Sequence, residues 1–265
     1  AGQRLGARHA GGTPARTRLV LDPSLGTLAA ATALAAFVTG FLRGSVGGGV
    51  GLALTPVLSL VLPAQSALGL TGLMLNLADP FILRHYWRQW NARQLRLILP
   101  TALVGILIGV WLISGMPDHR LRKVIGAVAL VLALLQLLFM RARIRVGHHW
   151  GVGSGVGALT GIASAVANSG GTIMGPYLAG LGLSNAAVVA TGAGALFTSN
   201  CLKVVSYWSI GFLTWRMVWL SLLASPLLYF GSWLGWRLNA YLPRRWFALA
   251  LIAISVAGSI KLLLG

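Results

Sequence analysis

One pattern occurs twice in this chain and restricts what it can fold into more than any other feature. The first copy reads RGSVGGGVGLALTPVL from Arg43 to Leu58, the second ANSGGTIMGPYLAG from Ala167 to Gly180. Pro56 and Pro176 are 120 residues apart, as are Gly51 and Gly171, and Thr71 and Thr191. Glycine loses the most conformational entropy in a helix, and proline removes an N–H and crowds the preceding turn. In an apolar chain such a segment is a broken or re-entrant helix. Non-helical backbone at membrane depth is tolerated only where it is buried in protein or lines a cavity. Broken segments at matching places in two halves point to the binding site of a transporter.

Composition settles the solvent. The chain is 57% hydrophobic and 9% charged, with a mean hydropathy of +0.81. Soluble domains carry about 25% charged residues, so this is an all-α integral membrane protein. Its length suits roughly eight to ten spans of about 20 residues. Lys and Arg number 21 against 3 acidic residues, for a net charge of +18. A basic stripe can mark a nucleic-acid binder. Here most of these residues fall in short loops between apolar runs, where they orient the chain and meet anionic lipid. The lipid bilayer is therefore the expected partner and nucleic acid is not. Cys201 is the single cysteine, which excludes an intramolecular disulfide and a cysteine metal cluster.

Residues 1–23 form a basic arm with Arg4, Arg8, Arg16 and Arg18, too polar for a signal-peptide core and expected to be disordered. Apolar runs follow at 25–42, 46–62, 66–83, 97–114 and 121–140. After a basic loop from Arg141 to Trp150 come runs at 151–167, 170–183, 186–209, 217–236 and 245–264. The expectation is a polytopic bundle of two tandem repeats, 24–146 and 147–265. If each Gly/Pro segment crosses the membrane, each unit has five spans and the second is inverted. If it dips and returns, each has four and the units run parallel. The Arg-bearing loops 84–96 and 141–149 are cytoplasmic either way. The N-terminal arm is outside in the first scheme and inside in the second. Broken helices meeting tip to tip favour inversion.

The two signatures, GFLRGSVGGGVGLALTP and GIASAVANSGGTIMGP, resemble those of the sulfite exporter TauE/SafE family of bacterial membrane transporters. Each precedes a small-residue helix with a Thr (Thr71, Thr191) and an aromatic turn (Tyr86 to Arg93, Tyr207 to Gly211). The likeness extends over about 25–264. It implies a secondary transporter of the bacterial inner membrane that handles small anions such as sulfite or organosulfonates, and no enzyme. The second signature departs from a glycine triplet, with Asn168-Ser169 before Gly170-Gly171.

Unwound backbone exposes N–H groups, and half-helix N-termini aim their positive dipole ends at an anion. The expected substrate contacts are therefore Gly47, Gly48, Gly49 and Pro56 in one copy and Asn168, Ser169, Gly170, Gly171 and Pro176 in the other. The bland alternative is that the glycines only let helices pack closely. Asp79 is the one acid deep in an apolar run, where a charge defaults to a functional role. It is expected to couple protons; alternatively it caps the turn at Pro80 or pairs with Arg84. Aligning Tyr86 with Tyr207 matches Asp79 with Asn200. Lys203 either binds the anion, pairs with Asp79, or snorkels its ammonium to the interface near Trp208. Thr71, Asn76, Thr191 and Asn200 complete the expected substrate set, since such donors suit sulfonate oxygens; they also serve as interhelical glue. The tryptophans read as an aromatic belt. His148-His149 has no acidic or histidine partners nearby for a metal. No phosphate-loop, dinucleotide or nucleophile-elbow motif occurs, so neither a metal nor a cofactor is expected.

Competing readings are a channel-like permease for another small solute and a non-transporting scaffold subunit. Three acidic residues leave little to neutralise a cation, and a scaffold needs no paired helix breaks. A homodimer stays open.

Overall fold

The computed structural model describes residues 25–46, 49–141, 146–147, 149–238 and 244–265. Gly47, Gly48, His148 and the N-terminal arm lie outside the described residues. Eleven helices are described: α1 (Leu25–Val46), α2 (Val50–Val61), α3 (Ala64–His85), α4 (Ala92–Ile113), α5 (Asp118–Arg141), α6 (Trp150–Ala167), α7 (Gly171–Gly180), α8 (Asn185–Ser209), α9 (Trp215–Leu223), α10 (Ser225–Leu238) and α11 (Arg244–Leu264). Six are long and apolar enough to cross a membrane, or seven if α9 and α10 form one span bent by 50°. The run expected as one segment over 217–236 is thus two helices. Pro226 has no N–H for the Leu222 carbonyl, and its ring crowds that turn.

The breaks that make α2 and α7 short fall at the glycine clusters, while both prolines sit inside the short helices. Gly49 caps α2 with φ of 79°, a left-handed conformation that a side chain would strain. Pro56 cannot donate to the Leu52 carbonyl one turn earlier. That carbonyl instead accepts from the Ser255 hydroxyl at 2.8 Å, which ties α2 to α11.

Helix directions follow from which residues touch. Gly157 of α6 lies against Ile98 of α4, and Gly161 against Ala102 and Ile106, so α4 and α6 are parallel. Asn91 donates to Thr191, and Gly194 packs on Leu95, so α8 runs in the same sense as α4. Since α6 and α8 share one direction, the ten-residue α7 between them brings the chain back. In α3 and α8, Gly69 meets Phe212 while Asp79 meets Asn200, so that pair is antiparallel.

The broadest helix contacts join the two halves of the chain: α4 with α6, and α1 with α10. Both are parallel pairs of small-residue faces. Gly40 and Gly44 oppose Gly231 and Gly235, and Gly105 and Gly109 oppose Gly157 and Gly161, each glycine touching the partner helix's backbone or small side chains. Lipid offers no hydrophobic drive for helix association, so close backbone packing supplies it. Trp87 stacks edge-on against Trp90 at the α3–α4 turn, and Trp208 against Trp215 at the α8–α9 turn. Because α3 and α8 are antiparallel, these pairs mark opposite ends of the bundle, as belts at two interfaces do.

Candidate functional site

Among the described residues the α3–α8 seam carries two of the three buried charged side chains, Asp79 and Lys203. Asp79, inside α3 and fully buried, is held at both oxygens. Arg43 of α1 pairs with Oδ1 at 2.7 Å, and Asn200 of α8 donates to Oδ2 at 2.7 Å. Neither bland reading of Asp79 holds: it is well within the helix rather than at its end, and its ion-pair partner is Arg43, not Arg84. Arg84 is exposed, and Asp79 faces the protein interior.

Lys203 sits one helical turn beyond Asn200. It is fully buried, so it does not snorkel. Its stem follows Gly72 of α3, where the absence of a side chain makes room: a Cβ there would come within 3.4 Å of Lys203 Cε and of Asn168 Oδ1, and 3.1 Å of the Tyr207 ring. Lys203 Nζ donates to Ser164 Oγ at 3.1 Å. An ammonium has three donors, and Ser164 is its one hydrogen-bond partner among the described residues. Asp79 interacts electrostatically with both Arg43 and Lys203. Two cations and one carboxylate leave a formal charge of one positive unit in the bundle interior.

The helix break at Asn168 borders this group. Asn168 adopts the left-handed conformation, φ 55°, that ends α6, and Asn tolerates it better than most side chains. Its amide nitrogen donates to Thr55 of α2 at 3.3 Å and to the Leu68 carbonyl of α3 at 3.1 Å. Among the described residues its Oδ1 has no hydrogen-bond partner, and the same is true of the buried hydroxyls of Thr160 and Thr172, nearby in sequence, and of Thr71 on α3. The Ala165 carbonyl at the end of α6 accepts from Tyr207 at 2.5 Å. A Cβ on Gly51 would overlap the Asn168 carbonyl, and one on Gly171 would reach 4.0 Å from the Gly49 nitrogen. The two glycine breaks therefore touch.

Of the residues expected to bind substrate, the fold brings Gly49, Thr71, Asn168, Gly170, Gly171, Asn200 and Lys203 into this region. Ser169 is buried and donates to the Ala167 carbonyl at 2.8 Å. Four others are elsewhere. Thr191 accepts the Asn91 N–H at the start of α4, about 18 Å along α8 from Lys203 at 1.5 Å per residue. Asn76 donates to the exposed Cys201 at 3.3 Å. Pro56 packs against Gly258 of α11. Pro176 lies inside α7. Arg43, Gly72, Ser164 and Tyr207 are not among the site residues expected from the sequence. Arg43 carried the signal applied to Asp79, a charge within an apolar helix; the others become visible only across helices.

Two surface cavities, of about 420 and 390 Å³, are lined by other residues and do not reach the cluster. The charged group is sealed in this conformation. No group of three or more metal-ligating side chains occurs among the described residues.

Comparison with known proteins gives the family of the chain. No curated protein and no solved structure matches the chain. A model of the sulfite exporter TauE/SafE family matches residues 32–262, which takes in every helix that contributes to the buried cluster. That family consists of membrane transporters rather than enzymes, in agreement with the many apolar helices and the sealed charges. The chain belongs to the sulfite exporter TauE/SafE family and is a multi-pass membrane transporter.

Proposed function

We propose that this protein is a secondary transporter of the bacterial inner membrane for a small anion such as sulfite or an organosulfonate, seated at Lys203 between the two glycine breaks. The observation that carries the reading is the Lys203 ammonium, fully buried with one hydrogen bond, beside a carboxylate already held by Arg43 and Asn200. An uncompensated cation in a bilayer interior is costly. A single-charged anion at Nζ offsets it and uses the free donors. Asp79 carries the coupling proton: paired with Arg43 in one conformation, protonated and released in another. Such alternation lets the proton bias the conformational equilibrium, because it binds one state better than the other. The touching breaks also favour a transporter over a scaffold. The reciprocal pairing of α1 with α10 and α4 with α6, and the contact of Asp79 with its aligned counterpart Asn200, support two inverted repeats around the α3–α8 seam.

Proteoliposomes test this. Each of a panel of labelled anions is offered with and without a pH gradient. Saturable flux of sulfite or a sulfonate, enhanced by the gradient, is expected. A folded protein that moves none of the panel, or moves it independently of pH, overturns the corresponding half of the reading.

A further inference from the structure

The cavity of about 390 Å³ at the shared end of α4 and α6 is lined by Arg93, Gln94, Arg96, Leu97 and Trp150. We propose that it binds the phosphate of an anionic membrane lipid, with an acyl chain lying along α4.

The first argument is charge. The chain has three acidic residues. Asp79 is held by Arg43, and Asp118 by Arg122 at 2.6 Å. Arg93 and Arg96 have no ion-pair partner among the described residues, which leaves their positive charge open to an anionic ligand. The parallel helices α4 and α6 add their positive dipole ends at the same place. The second argument is a built polar group. Gln94 is only 2% exposed, and its oxygen accepts from Tyr177 at 3.2 Å. The same side chain lines the cavity, and its amide N–H groups are donors of the kind that a phosphate oxygen accepts.

The third argument separates a lipid from a dissolved anion. The remaining walls are apolar: Leu97, and the Trp150 indole, 78% exposed at the helix end. Tryptophan in that position marks the headgroup level. From Leu97 an exposed apolar stripe continues at helical spacing through Val104, Ile108 and Trp111. A headgroup in the cavity thus has its chain laid against the stripe, whereas a soluble anion would use only the arginines.

The test measures thermal stabilisation of the purified full chain in neutral detergent, titrated with phosphatidylglycerol, phosphatidylcholine or inorganic phosphate. Phosphatidylglycerol should stabilise at the lowest concentration. In the double variant Arg93→Gln/Arg96→Gln the concentration needed should rise roughly 30-fold, from the usual contribution of two basic residues near anionic lipid. Arg120→Gln/Lys123→Gln, in the other surface cavity, should leave it unchanged. An equal loss in that control would reduce the effect to general surface charge and overturn the site. Equal potency of phosphatidylcholine, or of inorganic phosphate, would overturn lipid recognition. Should the arginine variant not fold, phosphatidylglycerol with brominated chains provides the second readout. It should quench fluorescence that is missing in Trp150→Phe, and identical quenching in the two proteins refutes the proposal.

Discussion

The Arg43–Asp79 pair sets the sharpest energetic test. Both side chains are buried, at 6% and 0% exposure, and 2.7 Å apart. Replacing Arg43 by Gln leaves a buried carboxylate with Asn200 and a more distant Lys203. Breaking such a pair from one side costs about 3–5 kcal/mol. Replacing Asp79 by Asn is expected to cost at least as much, because Arg43 and Lys203 then share the interior without a carboxylate. With roughly 2–4 °C of midpoint per kcal/mol for a chain approaching this size, each single variant should melt roughly 6–20 °C lower. The double variant Arg43→Gln/Asp79→Asn removes both charges and keeps two amides beside Asn200. Most of the loss should return, with a coupling energy of about 2 kcal/mol or more. Arg84→Gln should change stability by less than about 0.5 kcal/mol, since that side chain is exposed. Thermal unfolding followed by monodispersity in one detergent, on all four variants, measures the cycle. Losses that add to within about 0.5 kcal/mol would refute the claim that the pair is an energetic unit. The same Asp79→Asn protein serves for coupling. Gradient-driven flux should fall sharply while exchange at equal pH survives, and equal loss of both would make Asp79 structural.

Lys203→Met should abolish flux without lowering stability, because it removes a buried charge while filling the same channel beside Gly72; Lys203→Arg should retain part of the activity. Undiminished transport in the Met variant would remove Lys203 from the substrate site. Gly51→Ala should lower both stability and flux, by about 1–3 kcal/mol of overpacking in the first case, since the new methyl meets the Asn168 backbone. Wild-type behaviour of that variant in melting and flux assays would show that the two breaks separate freely.

Much of the architecture could be read in one dimension. Transfer into a bilayer is a property of each apolar run, so the membrane class, the segment order and the two helix breaks needed no knowledge of neighbours. Asp79 stood out for the same reason: a lone acid among apolar residues is costly wherever the helix goes. The break at Asn168-Ser169 was equally visible, although why Asn replaces Gly was not. Its amide binds α2 and α3 while its backbone turns α6, and that requires knowing what surrounds it.

Partner choice is where reading along the chain fails. Arg84 is five residues from Asp79 and Arg43 is 36 away, yet Arg43 is the partner, because packing of α1 on α3 decides which faces meet. Thr71 and Thr191 match in spacing but not in role, since Thr191 meets the start of α4. Lys203 has the stem to snorkel towards Trp208. It stays buried because Gly72 on an antiparallel neighbour leaves a channel, and because Ser164 and Asp79 lie along it. A side chain's own hydropathy reports the cost of burial, whereas the groups that offset that cost come from other helices, and their positions are fixed by the packing of the small-residue faces.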